Sequence, residues 1–197
     1  PKHYAAYGAA EAGKDYNTVD VSERSLRDVF LPPFKAAFDA GAGTVMSAFN
    51  ELSGIPATAN AFLLRTILRE EWGFTGVVLS DYDAIGELIL HGFAADHREA
   101  TLKSALAGID MDMMGDAFPF HLVDLVREGK VPEAIVDDAV RRILRLKLML
   151  GLFEAPYTDE TLAEAIILRE DSRETALEVA QKSMVLLKNE GDLLPLS

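Results

Sequence analysis

The 197-residue chain contains no cysteine. This absence excludes disulfides, thiolate catalysis and cysteine-ligated metal sites. Basic residues are also scarce, because 19 Lys and Arg stand against 32 Asp and Glu, which gives a formal net charge of −13. Since affinity for nucleic acids depends on cationic side chains that displace counterions from phosphates, we predict no nucleic-acid partner. No apolar run approaches the roughly 20 residues of a membrane-spanning helix, so we predict no membrane segment.

Signature motifs of several enzyme classes are missing as well. The sequence has no GxxxxGK or GxGxxG phosphate-binding loop and no GxSxG nucleophile elbow. The acids of IDMDMMGD, residues 109–116, lack the spacing of a calcium-binding EF-hand loop. His91 and His97 flank the loop HGFAADH, where a histidine is more often a solvated or capping group than a metal ligand. We therefore predict neither a metal nor an organic cofactor.

What the sequence does contain is an alternation of short β-forming runs and amphipathic helical patterns. About half of its residues are hydrophobic, which is enough for one sizeable core. We predict strands over 44–49, 76–81 and 109–114, and helices over 22–40 (interrupted by a Pro-Pro pair), 61–72, 97–108, 120–129, 133–150 and 171–184. Strands that alternate with helices pair in parallel and are covered by those helices, so the predicted fold class is α/β.

Polar and reactive side chains collect where these strands end. In parallel α/β proteins the catalytic groups cluster at the C-terminal ends of strands. The predicted ends carry Lys2 and His3, then Met46, Phe49 and Asn50, then Asp81, Tyr82 and Asp83, and finally Asp112, Met113 and Met114. A lysine and a histidine close to a carboxylate would form a polar pocket able to hold hydroxyl groups.

Asp81 is the strongest candidate for a reactive group, because it comes at the end of the apolar run GVVLS. An ionised carboxylate in this position can act as a nucleophile. Asp81 or Asp83 can equally well serve as the N-cap of the following helix, and spacing alone does not separate the two roles. Asp83, directly before AIGELI, is the better cap, which leaves Asp81 freer to face a pocket.

Several stretches, in the right order, resemble the N-terminal catalytic barrel of glycoside hydrolase family 3, the β-glucosidase and β-xylosidase family. They are KHYAAYG, DYNTVDVSERSLRDVFLPPFKAAFDAGAGTVMSAFNELSGIPATAN and LLRTILREEWGFTGVVLSDYDAI. AVRRILRLKLMLGLFEAPY and VAQKSMVLLKNEGDLLPL resemble that family's barrel exit and its linker. The resemblance implies the C-terminal portion of a (β/α)₈ barrel over residues 1–153. It also implies a linker region over 154–197 that leads to a missing second α/β domain.

The resemblance also implies roles for individual residues. Asp81 matches the nucleophile that forms a glycosyl-enzyme ester, and Lys2 and His3 match the pair that binds hydroxyls of the sugar. Met46 matches the methionine that lines the sugar subsite, and Tyr82 stands where an aromatic residue, often tryptophan, shapes the leaving-group subsite. One departure from the family pattern is Phe49, which replaces a tyrosine whose hydroxyl bonds the nucleophile in many members.

The activity implied is retaining hydrolysis of terminal β-D-glycosides, with an oligosaccharide or an aryl or alkyl β-glycoside as substrate. In multidomain members the acid/base is a glutamate of the second domain, and upstream barrel residues hold the sugar, so we expect this chain to hold half a site. One alternative is a catalytically inactive half-barrel with a structural or complementation role. Open sheet edges predict a homodimer or association with the missing half. A metal-dependent lyase that uses His3 and Asp81 lacks a third ligand.

Overall fold

Four extended segments of the chain pair in parallel in the computed structural model, which describes residues 1–196. Strand β1, Thr44–Met46, pairs with β4, Val77–Leu79, in the register Thr44↔Val77. Parallel bridges join Tyr4 to Ser47 on one side and Leu79 to Met111 on the other. The order across the sheet is therefore Tyr4, β1, β4, Met111, and the predicted α/β class with parallel strands is confirmed.

Helices make up most of the remaining regular structure. The α-helices are α1 Glu23–Ser25, α2 Pro32–Asp39, α3 Glu87–Leu90, α4 His97–Ala107, α5 Ala117–Arg127, α6 Glu133–Met149, α7 Thr161–Ile166 and α8 Glu170–Ser183. Leu26–Phe30 and Phe62–Glu71 are π-helical, and Tyr7–Ala9, Glu11–Gly13, Ala57–Ala59 and Glu190–Asp192 are short 3₁₀ turns. Strands β2, Glu51–Leu52, and β3, Ile55–Pro56, form a small antiparallel hairpin. The chain divides into two compact units, Pro1–Phe153 and Glu154–Ser197.

Local sequence signals set several of these boundaries. The Ser22 hydroxyl accepts the Ser25 N–H at 3.1 Å and begins α1, and the Asp96 carboxylate accepts the Glu99 N–H at 2.8 Å and begins α4. Gly108 ends α4 at φ 113°, a conformation that L-residues rarely adopt. No helix among the described residues has the length and apolar character needed to cross a membrane.

The core of the first unit forms where the π-helix Phe62–Glu71 packs against the sheet. The apolar side chains that the helical period places on one face are fully buried: Leu63, Leu64, Ile67 and Leu68. They share a cluster with Val45 of β1 and Val78 of β4. Each such side chain removed from water contributes about 1.5–3 kcal/mol, so this packing fixes the strands that carry the candidate site.

The structure differs from the predicted elements in three places. The run 109–114 makes only the single bridge at Met111, because the Met113 N–H donates to the Ser80 hydroxyl and Met114 adopts φ 58°, which turns the chain out of the sheet. Helix α5 begins at Ala117, three residues earlier than predicted, since the carboxylate of Asp112 accepts an N–H of its first turn. Strand β1 ends at Met46, three residues before the end of the predicted strand 44–49.

Candidate active site

Asp81 lies two residues beyond the end of β4 with its side chain almost completely buried. Its Oδ1 accepts the backbone N–H of Tyr82 at 2.7 Å, which fixes the orientation of the carboxylate. Its Oδ2 is buried and has no hydrogen-bond partner among the described residues. A buried carboxylate oxygen normally has a partner, so an oxygen left free is available for another group.

His3 is the side chain that approaches this free oxygen. Its Nε2 lies 3.2 Å from Asp81 Oδ2, close enough for an ion pair but not aligned as a hydrogen bond. Backbone pairing with β1 places the histidine here, because the Tyr4 N–H donates to Met46 at 2.8 Å and the Ala48 N–H donates to Tyr4 at 2.9 Å. Parallel pairing thus brings together two residues that are 78 positions apart in the sequence.

The other predicted sugar contacts lie at the same end of the sheet. Met46, the last residue of β1, is half-buried, and Tyr82 projects into solvent with 60% of its surface exposed. Lys2 is exposed and forms no ion pair in the part of the chain that the structure describes, so the side chain that lies against Asp81 is that of His3 rather than that of Lys2. The binding of sugar by Lys2, Met46 and Tyr82 stays a prediction.

The prediction that Asp83 caps the following helix is wrong. Helix α3 begins at Glu87 after Gly86, with no side-chain cap, and Asp83 itself has φ 50°. Its N–H donates to the Met113 carbonyl at 2.9 Å, and a Cβ added to Gly86 would meet the Asp83 carboxylate at 2.6 Å. The Asp83 carboxylate therefore lies beside Gly86 in the same turn. The bond from the Asp83 N–H to Met113 holds the segment after Asp81 against the next strand end.

An aromatic wall, formed by Tyr7, Tyr16 and Phe49, stands beside His3. The Phe49 ring lies 4.7 Å from the ring of Tyr16 and 6.2 Å from that of Tyr7, and Tyr7 meets His3 edge-on at 5.0 Å. The Tyr7 hydroxyl donates to the carboxylate of Asp15. Burial, followed by this bond, raises the pKa of the Tyr7 hydroxyl, which therefore remains a neutral donor. Aromatic faces of this kind provide apolar contact for the C–H groups of a ligand.

Sequence reasoning missed Tyr7 and Tyr16 of this wall, and it also missed a polar link behind Phe49. His91, predicted to be a solvated or capping group, is instead half-buried, with Nδ1 at 3.1 Å from Glu51 Oε1 and Nε2 at 3.1 Å from the Phe49 carbonyl oxygen. The other Glu51 oxygen accepts the Thr18 hydroxyl at 2.9 Å. In the sequence, the only indication of the aromatic wall was the presence of Tyr7 and Tyr16 close to the glycines at positions 8 and 13.

Two acids of IDMDMMGD, Asp110 and Asp112, serve the fold. Asp110 accepts from Arg69 at 2.7 Å and from Arg142 at 2.8 Å, and Asp112 accepts the Phe118 N–H at 3.1 Å at the start of α5. Burial raises the pKa of Asp112. The described residues contain no group of three or more His, Cys, Asp or Glu side chains arranged to hold a metal ion.

Comparison with known proteins identifies relatives over the whole chain. Residues 1–146 match the model of the glycosyl hydrolase family 3 N-terminal domain. A periplasmic β-glucosidase of Salmonella typhimurium is 47% identical over 99% of the chain, and a β-xylosidase of Formosa agariphila is 38% identical over 99%. The crystal structure of a Listeria innocua β-glucosidase superposes on the whole chain with a TM-score of 0.94 at 47% identity.

The chain spans about a quarter of the length of these relatives: 26% of the Salmonella protein, 28% of the Formosa protein and 27% of the Listeria protein. Structures of the Listeria enzyme exist with glucose and, for an aspartate-to-alanine variant, with laminaribiose. These two complexes superpose on the chain with TM-scores of 0.92 and 0.94.

Proposed function

The chain belongs to glycosyl hydrolase family 3, and from this membership we propose that it forms the nucleophile-bearing part of a retaining β-glycosidase of the β-glucosidase type. We further propose that residues 1–153 are part of a (β/α)₈ barrel. The α/β fold with parallel strands and the similarity to β-glucosidases and β-xylosidases support both proposals. The substrate class is a terminal β-D-glycoside, carried by an oligosaccharide or by an aryl or alkyl group, as the glucose and laminaribiose complexes of the Listeria enzyme suggest by analogy.

The observation that carries the proposal is the state of the Asp81 carboxylate. One oxygen is anchored by the Tyr82 N–H, and the other is buried and without a hydrogen-bond partner among the described residues. A nucleophile needs this combination, because its orientation must be fixed while one lone pair stays free to attack. Asp110 uses both of its oxygens in ion pairs with arginines, whereas Asp112 also leaves one buried oxygen without a partner and uses the other to accept the Phe118 N–H at the start of α5. The free oxygen of Asp81 therefore supports the proposal together with the place of Asp81 after β4 and the neighbouring His3.

The proposed reaction proceeds in two displacements. Asp81 Oδ2 bonds to the anomeric carbon as the bond to the leaving-group oxygen breaks, and a general acid protonates that oxygen. Water deprotonated by the same group then attacks the anomeric carbon and releases Asp81, so two inversions yield net retention. In this proposal His3 donates to a sugar hydroxyl beside Asp81, Lys2 and Met46 border the sugar, and Tyr82 borders the leaving group. The distance of 3.2 Å from His3 Nε2 to Asp81 Oδ2 supports the role of His3.

The general acid of this scheme is proposed to come from a carboxyl group outside these 197 residues. Retaining glycosidases hold their two carboxyl groups roughly 5 Å apart, and members with several domains place the acid in a second domain. The chain corresponds to about a quarter of its relatives, which is the observation that favours the second candidate, a half-site that is inactive by itself. The chain alone should then leave laminaribiose intact.

A covalent trap separates these possibilities. An activated 2-deoxy-2-fluoro-β-glucoside has a leaving group that needs no general acid, so Asp81 should be labelled even where the acid is missing. We expect a mass increase of one fluoroglucosyl group on the peptide that contains Asp81, and Asp81→Asn should abolish it. Asp83→Asn is the matched control and should keep the label, since Asp83 folds over its own turn. Labelling of another residue, or unchanged labelling of Asp81→Asn, would disprove the nucleophile assignment.

If the longer protein that contains this chain is used instead, Asp81→Asn should reduce turnover of aryl β-glucosides by about 10³-fold or more, since removal of a nucleophile forfeits the covalent route. Azide should restore turnover of Asp81→Ala and give a product of inverted configuration. Normal turnover by either variant would contradict the proposal.

A further inference from the structure

We propose that His91 and Glu51 form a positioning pair that holds the aromatic wall beside the sugar site, and that the pair keeps its full set of bonds only while it retains one shared proton. The pair itself is defined by geometry. Its consequence for catalysis rests on the proposed function. Neither residue has a polar contact with Asp81 among the described residues, so the role is one of positioning and not of chemistry.

The pair joins three segments of the chain. His91 lies at the C-terminal end of α3, the helix that follows Asp81. Its two ring nitrogens lie 3.1 Å from the Phe49 carbonyl oxygen and 3.1 Å from a carboxylate oxygen of Glu51, and the other Glu51 oxygen accepts the Thr18 hydroxyl. Side chains of this link are largely buried, with 12% exposure for His91 and 19% for Glu51.

Donor and acceptor chemistry decides the protonation state. A backbone carbonyl only accepts, and an ionised carboxylate only accepts, so both contacts of the His91 ring are hydrogen bonds only if both ring nitrogens carry a proton. If Glu51 carries the proton instead, its O–H donates to Nδ1 of the neutral ring, and the number of bonds is the same. When this one shared proton is lost, an acceptor faces an acceptor and one of the bonds must break.

The broken bond would loosen the wall. Phe49 lies between β1 and β2 and Glu51 is the first residue of β2, and the Phe49 ring packs on Tyr16 at 4.7 Å. The same segment is tied to Thr18 and its neighbour, because the Val19 N–H donates to the Glu51 carbonyl at 2.8 Å. The link from α3 thus fixes both the ring that borders the site and the segment that carries the second ring of the wall.

The charged groups around the pair are acidic. Glu87, one turn earlier on α3, has its pKa raised by burial and then by Asp83, Asp15 and Asp81, while His91 opposes that rise. The ionisable groups that face this region from the neighbouring segments are Asp15, Tyr16, Glu51, Asp81, Asp83 and Glu87. All of them are acids, and the pair that keeps the shared proton is neutral, so loss of that proton would add a further negative charge to this group.

Glu51→Gln is the informative variant. The Gln side chain can donate its N–H to Nδ1 of a neutral His91 ring and accept the Thr18 hydroxyl with its oxygen, so every bond is satisfied without the shared proton. The pH dependence should therefore disappear while the link remains. His91→Phe removes the link at every pH, and His97→Phe, at an exposed histidine at the start of α4, is the matched control.

Amide hydrogen exchange of the full chain, corrected for intrinsic rates, tests this from about pH 5 to about pH 9, where histidines change charge. The reporters are the N–H groups of Val19, Ser53 and Ala57, which are bonded across the turn. Their protection should fall by about tenfold as pH rises in the wild type, since the bond lost is charge-assisted. It should stay constant in Glu51→Gln and be low throughout in His91→Phe. His97→Phe should behave as the wild type.

Nitrogen NMR of the His91 ring gives a second readout that needs no activity. At the acidic end of the pH range we expect either two protonated nitrogens on the His91 ring, or one protonated ring nitrogen and a protonated Glu51 carboxyl group. A single ring N–H together with an ionised Glu51 carboxylate, read from its carbon chemical shift, across the whole range in which the reporters stay protected would overturn the proposal, as would equal pH dependence in wild type and Glu51→Gln. In the active longer protein, Glu51→Gln should shift the pH profile of KM for an aryl glucoside and leave kcat largely unchanged. A failed trap at Asp81 would remove the proposed function but leave the exchange result standing.

Discussion

Asp110→Ala is expected to cost about 3–5 kcal/mol of folding free energy, the range measured when one partner of a buried ion pair is removed. The Asp110 side chain is only 2% exposed and forms ion pairs with two guanidinium groups, those of Arg69 and Arg142. Its Oδ2 also accepts the Val78 N–H at 2.9 Å, in the strand that leads to Asp81. Burial is the largest influence on Arg69 and lowers its pKa to about 10, so this cation depends on its carboxylate partner.

The two arginines do not respond equally. Arg69 is 14% exposed and is held by the carbonyl oxygens of Phe74 and Gly76 at 2.7 Å each, so it stays buried beside an empty acceptor position. Arg142 is more exposed and lies 4.0 Å from the surface carboxylate of Asp138, to which it can turn. The loss therefore comes mainly from Arg69 and from the unpaired Val78 N–H.

Urea unfolding followed by tryptophan fluorescence measures this loss in the first unit, because Trp72 is the single tryptophan and packs on Tyr4 at 6.2 Å. With an m-value of about 2 kcal/mol/M, a loss of about 4 kcal/mol lowers the midpoint by about 2 M. Asp138→Ala is the matched control and should cost below about 1 kcal/mol, since its ion pairs are exposed. Asp110→Asn keeps an acceptor and should lie between them if the alanine variant does not fold. Equal midpoints for Asp110→Ala and Asp138→Ala would refute the reasoning.

Two further substitutions test the packing and the electrostatics around the site. Gly76→Ala should lower the urea midpoint by an amount equivalent to about 1–3 kcal/mol, because the added Cβ meets the Gly43 carbonyl. The control is Gly54→Ala, where an added Cβ meets nothing within 4 Å, so this variant measures the cost of a strained φ alone. Asp112→Asn should gain stability relative to the wild type as pH rises from about 3 to about 6. Burial raises the pKa of Asp112 above 3.8, so the folded wild type binds the Asp112 proton more tightly than the unfolded chain does. The wild type therefore loses this contribution to its stability as pH increases, and the asparagine variant does not. Urea midpoints measured across this range check the sign, and a gain that moves in the opposite direction would contradict it.

The elements that sequence predicted correctly are those set by local patterns. The apolar period of residues 61–72 identifies the buried face of the π-helix, and Ser22 identifies the start of α1. The position of Asp81 at a strand end follows equally from the run GVVLS. Each of these predictions depends on residues that are close together in the sequence, so the local sequence is sufficient to make it.

The features that sequence did not predict depend on contacts between distant segments. The end of the predicted strand 109–114 at the Met111 bridge is set by the Ser80 hydroxyl, and the place of His91 is set by a carboxylate 40 residues earlier. Asp83 satisfies the local rule for an N-cap but is turned back by its bond to Met113, so tertiary context overrides the capping preference. No pattern within one segment reports such bonds.

Asp81 and Asp110 show why strand position alone could not identify the reactive acid. Both are buried aspartates beside the same sheet, and each has its neighbours in other segments. Both oxygens of Asp110 are occupied by arginines 41 and 32 residues away, whereas Asp81 has one oxygen without a hydrogen-bond partner among the described residues and only a histidine nearby. Because a nucleophile must have a free lone pair, the occupancy of the carboxylate oxygens distinguishes Asp81 from Asp110. It does not distinguish Asp81 from Asp112, whose buried Oδ1 also lacks a partner among the described residues; there the neighbouring His3 and the place of Asp81 after β4 make the difference.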